Sequence, residues 1–300
     1  MENSLLQDCT LCPRNCHIDR TNGRKGYCRE SEELVVARAA LHLWEEPCIS
    51  GEAGSGAVFF SGCPVGCVYC QNKKISRGLT GKKITIERLV EIFLELKGQG
   101  ANNINLVTPS HYVPQIVTAV LLAREQGLDL PIVYNCGGYE KVETLKLLDG
   151  IVDIYLPDFK YVSAEIAKKY SNCADYFEHA SAAVKEMLRQ VGEPVFDEHG
   201  MMKKGVVVRH LTLPGCLQDS KDVIRYLHQT FGNSIYVSIM NQYTPLPGIE
   251  KYPELNRKIT PAEYDELVDF AVSIDVTHAF VQDGETAIES FIPEFDESGV

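Results

Sequence analysis

From residue 55 to residue 282, short apolar runs alternate with amphipathic helical stretches, and that alternation restricts the chain to a parallel sheet flanked by helices. The apolar runs fall near residues 56–62, 103–109, 131–136, 150–157, 205–213, 235–242 and 277–282. Helical patterns occupy residues 85–96, 113–126, 140–148, 164–170, 179–191, 219–230 and 261–274. Thr85 and the Thr260-Pro261 pair are strong helix starts. Six or seven units are too few for a closed eightfold barrel, so the pattern predicts an α/β fold, an open (β/α)6 partial TIM-type barrel.

Barrels of this kind carry functional side chains at strand C-terminal ends and in the loops that follow. The most distinctive such loop is Phe60-Ser61-Gly62-Cys63-Pro64-Val65-Gly66-Cys67-Val68-Tyr69-Cys70-Gln71-Asn72. Gly62, Pro64 and Gly66 let the chain wrap tightly, and three thiols spaced Cys-x3-Cys-x2-Cys suit one metal cluster. Three thiolates on a [4Fe–4S] cluster leave one iron open to a small molecule. Zinc held by three thiolates normally recruits a histidine or an acid, and neither occurs between Cys63 and Lys82. A zinc knuckle, or three structural cysteines, is the rival reading.

A second group, Cys9, Cys12, Cys16 and Cys28, lies in a turn-rich segment with too little apolar periodicity for a core of its own. Four thiolates there suit either structural zinc or a second iron–sulfur cluster, and metal binding would fold the segment. Reduced thiols at the barrel's edge are the bland alternative. Cys48, Cys136, Cys173 and Cys216 are isolated and read as small core fillers. The expected organisation is a Cys-rich metal-binding N-terminal segment over 1–50, the barrel over 51–292, and a frayed acidic tail over 293–300. Residues 193–204 read as a surface hairpin or lid.

The formal net charge of −12 argues against broad binding to nucleic acid or an anionic membrane. No apolar run reaches the ~18 residues of a membrane span, and the first residues do not read as a signal peptide. The expected location is the cytoplasm, where eleven cysteines are thiols or metal ligands rather than disulfides.

The Cys63, Cys67, Cys70 spacing, with Tyr69 before the last cysteine, resembles the defining motif of the radical S-adenosylmethionine (SAM) superfamily. That resemblance implies a [4Fe–4S] cluster whose open iron is chelated by SAM, and one-electron cleavage of SAM to a 5′-deoxyadenosyl radical. Residues 55 to about 245 are most similar to the branch related to pyruvate formate-lyase activating enzyme. In many superfamily members the second strand ends in Gly-Gly-Glu, which holds the SAM amino group. This chain departs from that pattern, leaving Thr108, Ser110 and His111 as candidate partners. Asn135 stands where the activases carry a Thr-Asn-Gly segment, and Asp158 with Lys160 resembles their Asp-Leu-Lys segment. Arg209 interrupts an apolar run in a strand that ends in Pro-Gly, as in the activases, and the SAM carboxylate is its expected partner.

The resulting expectation is a radical SAM enzyme that abstracts hydrogen from a protein or peptide, a glycyl-radical-enzyme activating enzyme being one form. It would draw electrons from an external donor such as flavodoxin or ferredoxin. Radical modification of a small molecule or natural-product peptide is the first alternative. A non-catalytic zinc-binding interaction module is the second.

Overall fold

The computed structural model describes residues 2–282 and 293–300. Among the described residues, ten strands form one sheet system: β1 (Leu34–His42), β2 (Ser55–Phe60), β3 (Lys82–Ile84), β4 (Ile104–Val107), β5 (Ile132–Cys136), β6 (Ile154–Pro157), β7 (Val195–Phe196), β8 (Met202–Leu211), β9 (Tyr236–Met240) and β10 (Ala279–Val281). The order across the sheet is β10-β9-β8-β6-β5-β4-β2-β1-β3, and β7 pairs with β8 off that path. β2, β4, β5, β6, β8, β9 and β10 pair in parallel. The chain therefore forms six strand-and-helix units from β2 to β9, followed by one more strand, and the partial barrel is open between its edges.

β2, β4, β5 and β6 are buried at every position, which is why their sequences are continuous apolar runs instead of alternating ones. Helices cover the outer face. Ile86–Gly98 starts at Thr85, whose hydroxyl accepts from the Arg88 amide, and it buries Leu89, Val90, Phe93 and Leu96. Pro261–Ser273 starts with a reciprocal capping box between Thr260 and Glu263. No helix among the described residues is long and apolar enough to cross a membrane.

Two expectations are corrected, and of the two readings of residues 193–204 the hairpin holds and the lid does not. Residues 34–42, assigned to the Cys-rich segment, form β1 and pair antiparallel with β2, so that segment ends well before residue 50. The hairpin over 193–204 pairs with the start of β8, at the barrel end opposite the cysteine loop, and does not cover the mouth. Residues 295–300 do not fray. Ala39 and Glu297 amides exchange hydrogen bonds with Ser298 and Ala37 carbonyls, and Phe295 packs edge-on against Phe59.

Candidate active site

The barrel interior holds a cavity of ≈ 720 Å³, within the ~300–1,000 Å³ of small-molecule sites. Cys67, Tyr69 and Cys70 line it from the loop after β2, together with Asn135, Asp158, Lys160 and Arg209 from the ends of β5, β6 and β8. The last residue of β1, His42, and the residues after it as far as Glu46 also line it.

The charged side chains form one network. Asp158 accepts from Lys160 Nζ at 2.6 Å and from Arg209 Nε at 3.1 Å. Arg209 Nη1 donates to Glu45 Oε2 at 3.1 Å, and Nη2 donates to Asn135 Oδ1 at 2.5 Å. Glu45 Oε1 in turn accepts from Asn105 and Asn135 amides at 3.0 and 3.3 Å. Two cations thus face two carboxylates inside the protein. Burial acts against the charged form of Asp158, but Lys160 and Arg209 outweigh it and hold its carboxyl below the ordinary value. Burial likewise opposes the Lys160 ammonium, yet Asp158 and then Cys67 raise it above its ordinary value. Sequence reasoning missed Glu45, although two buried cations with one acid called for another.

The loop thiols crowd one another. Burial pushes the Cys63 thiol up to about 12, with Cys70 and Cys67 adding to the shift. Burial and then Cys67 also raise the Cys70 thiol. Two thiols raised in this way lose their protons together only beside a compensating positive group, and an iron–sulfur core is one. Ser171 Oγ lies 3.1 Å from Cys67 Sγ. Among the described residues, no three His, Cys, Asp or Glu side chains are placed to hold a single metal ion. The donor set in this loop, thiolate only, fits a cluster.

Gly62 has φ +86°, and a Cβ there would stand 2.6 Å from the Cys28 carbonyl and from Glu30 Cγ. Only glycine permits so close an approach between the cluster loop and the N-terminal segment. The Cys63 amide donates to the Cys28 carbonyl at 3.2 Å, and Arg14 donates to the Pro64 and Val65 carbonyls at 2.8 and 3.0 Å. Arg20, fully buried, donates to the Ser31 and His111 carbonyls. Within that segment Cys16 Sγ and Cys28 Sγ both lie 3.5 Å from the point where a Cβ on Gly26 would stand. Burial, then the Cys28 thiol, raises Cys12 far above its ordinary value despite a bond from the Arg14 amide.

Thr108, Ser110 and His111 do not line the cavity. Thr108 takes φ +59°, a strained conformation for a β-branched residue, at the C-terminal end of β4. Ser110 donates to Glu140 Oε1 at 2.5 Å. His111 Nε2 donates to the Ser61 carbonyl at 2.7 Å, and burial, then Arg20, lowers its pKa to about 3. The Ser110 side chain is thus turned to Glu140, after β5, and the His111 ring to the start of the cluster loop.

A parallel partial barrel, with a Cys-x3-Cys-x2-Cys loop after its first strand and a charged cavity under that loop, defines a class of iron–sulfur enzyme. The family model of the Radical SAM superfamily matches residues 57–204, and the chain belongs to that superfamily, on the branch related to pyruvate formate-lyase activating enzyme. It is similar to an uncharacterised protein of Methanocaldococcus jannaschii, 27% identical over 276 residues, covering 89% of this chain and 75% of that protein. It is also similar to a pyruvate formate-lyase-activating enzyme of Clostridium pasteurianum, 29% identical over 224 residues, covering 69% of this chain and 82% of that protein. Among solved structures it resembles HydG, a maturase of the [FeFe]-hydrogenase, with a TM-score of 0.50 at 15% identity, over 73% of this chain. The chain spans 49% of that protein's length, so the likeness is one of fold. Membership in the superfamily makes the chain an enzyme and implies a [4Fe–4S] cluster and SAM as its cofactors.

Proposed function

We propose that this radical SAM enzyme abstracts a hydrogen atom from a protein or peptide substrate, with activation of a glycyl-radical enzyme as the first form to test. One observation carries the assignment of the site: two loop thiols share a single cavity with charged and amide side chains from three strand ends. Cys63, Cys67 and Cys70 would hold the cluster. With SAM bound, these cofactors supply a 5′-deoxyadenosyl radical by one-electron cleavage of the sulfonium.

The chain's own residues orient and exclude water. Lys160 spends one N–H on Asp158 and has two more donors, enough to meet the SAM carboxylate. Arg209 has all three nitrogens engaged by Asp158, Glu45 and Asn135, so it serves the cofactor by fixing those partners. Asn135 and Asp158 are then held ready for ribose or amino groups. Thr108, strained at the end of β4, lies outside the cavity and, with Ser110 and His111, acts on the site by holding the turn behind it. Tyr69 forms part of the cavity wall beside the cluster.

The protein or peptide substrate is supported by the relative named pyruvate formate-lyase-activating enzyme, and the 193–204 hairpin, at the far end of the barrel, does not stand in its way. Of the two metals expected at Cys9, Cys12, Cys16 and Cys28, zinc finds no three side chains placed around a single ion among the described residues, so we assign a second iron–sulfur cluster to these thiols. The reducing electron would come from an external flavodoxin- or ferredoxin-type donor.

Anaerobic purification tests the site. The wild-type protein should be brown, with iron and sulfide near four of each per occupied cluster. Cys67→Ala should abolish SAM cleavage, whereas Cys12→Ala should leave it measurable. A colourless protein holding only zinc would overturn the cofactor assignment. Reduced enzyme with SAM, incubated with candidate glycyl-radical partners, should give a protein radical by electron paramagnetic resonance. Silence with every partner would remove the activating-enzyme form.

A further inference from the structure

We propose that Ser171 is the hydrogen-bond donor to the cluster sulfur of Cys67, and that Tyr161 and Tyr69 lock it in that role and thereby raise the cluster's reduction potential. The inference rests on the reading of Cys67 as a cluster ligand. Three hydroxyls stand in line behind that sulfur. Ser171 Oγ is 3.1 Å from Cys67 Sγ, Tyr161 OH is 2.8 Å from Ser171 Oγ, and Tyr69 OH is 2.6 Å from Tyr161 OH.

Each hydroxyl has a single proton, and the oxygen positions alone do not set its direction. The sulfur does. A metal-bound thiolate carries no proton and can only accept. Ser171 must then donate to Cys67 and accept from Tyr161, which in turn accepts from Tyr69. All three protons point toward the sulfur, and such aligned hydroxyls polarise one another in a low-dielectric interior.

The surroundings hold this arrangement. Tyr69 packs edge-on against Tyr170 and Tyr243, and Tyr161 packs edge-on against Tyr176. Ser171 is the last residue of the helix Ala164–Ser171, which Asn172 ends in a left-handed conformation. Arg14 donates to the Ser171 and Asn172 carbonyls at 2.9 and 2.5 Å, and to the Pro64 and Val65 carbonyls of the ligand loop. One guanidinium thus fixes the distance between the donor residue and the ligand loop. Because Ser171 is 2% exposed and Cys67 7%, water does not replace a lost bond.

The sign follows from charge. Reduction adds an electron to a cluster whose ligands are already anionic, so a donor to sulfur stabilises the reduced state more than the oxidised one. Removing the donor lowers the potential.

The test is a potentiometric titration of anaerobically prepared full-length wild type, Ser171→Ala, Ser171→Thr, Tyr161→Phe and Cys67→Ala, followed by electron paramagnetic resonance. The signal of the loop cluster is the one that Cys67→Ala removes, which separates it from any cluster in the N-terminal segment. Ser171→Ala should move its midpoint negative by about 59 mV, a tenfold loss in a one-electron equilibrium. Ser171→Thr should restore the wild-type value, and Tyr161→Phe should shift it negative by less. An unmoved or positively shifted midpoint in Ser171→Ala overturns the inference, as does failure of the threonine to rescue. If Ser171→Ala does not retain a cluster, Tyr161→Phe decides, and a wild-type midpoint there overturns it. A wild type without the loop cluster would instead bring down the cofactor assignment and this inference together.

Discussion

Arg209 shows how much a single buried charge dictates. Its guanidinium is tied to Asp158, Glu45 and Asn135 inside the barrel, where both acids are largely screened from bulk water. Arg209→Ala should therefore destabilise the fold by ~1–3 kcal/mol, because it leaves Glu45 without a cation while Asp158 keeps Lys160. Arg209→Lys should recover only part, since an ammonium cannot span three partners as a planar fork does. Urea denaturation of the three proteins checks both, and a loss under ~1 kcal/mol in the alanine variant would contradict the account. Asp158, Lys160 and Arg209 were legible because a charge inside an apolar strand has few explanations. Glu45 was not, because Leu43-Trp44-Glu45-Glu46 follows a strand that the apolar pattern did not reveal. Glu140 is a second case. Burial pushes its carboxyl up to about 7, against the bonds from Ser110 and Tyr134. A raised carboxyl favours the folded state at low pH and loses that contribution as pH rises from its ordinary range through 7. Glu140→Gln should make the protein more stable than wild type at pH 8 by ~3 kcal/mol, while the two should match near pH 4.

At the scale of elements, what was legible followed the period of apolar residues. The parallel strands were legible because burial on both faces leaves continuous apolar runs, and the helices because one face only is buried. β1 was missed since Leu34–His42 mixes Arg38 and half-buried positions into its run, as an antiparallel strand near an edge does. The tail was missed because the pairing that holds it uses backbone groups and not a sequence signal. Local capping gives the simplest prediction here. Thr260→Ala removes one half of the capping box on Pro261–Ser273 and should cost ~1 kcal/mol, measured by chemical denaturation. A more informative one concerns the contact between the N-terminal segment and the cluster loop. Arg14 alone joins the Pro64, Val65, Ser171 and Asn172 carbonyls. Arg14→Ala should speed amide hydrogen exchange selectively in residues 63–67 and 171–173 while the central strands β4, β5 and β6 keep wild-type protection. Uniform acceleration across the barrel would show that the side chain is a general stabiliser and not a local clamp.

For the whole molecule, two buried histidines shape how it responds to acid. Burial, reinforced by Arg20, lowers His111 to about 3, and burial lowers His210 to about 4 against the pull of its bond to the Phe159 carbonyl. His111 joins the turn after β4 to the end of β2 through the Ser61 carbonyl, and His210 joins β8 to the chain after β6. Both must stay neutral in the fold, whereas in the unfolded chain they take up protons near pH 6.5. Their lowered values mean that the stability they permit is complete above pH 6.5 and is lost as pH falls below it. Each costs ~1.4 kcal/mol per pH unit, against which the carboxyls of Glu140, Glu30, Glu46 and Asp219, all raised by burial, act in the opposite direction. The imidazoles should therefore show as a difference between two proteins: on acidification from pH 7.5 to 5.5 the wild type should lose more stability, or gain less, than the double variant His111→Gln with His210→Gln, as urea midpoints measure. A double variant that responds to pH as the wild type does would mean that the imidazoles are not held neutral by burial.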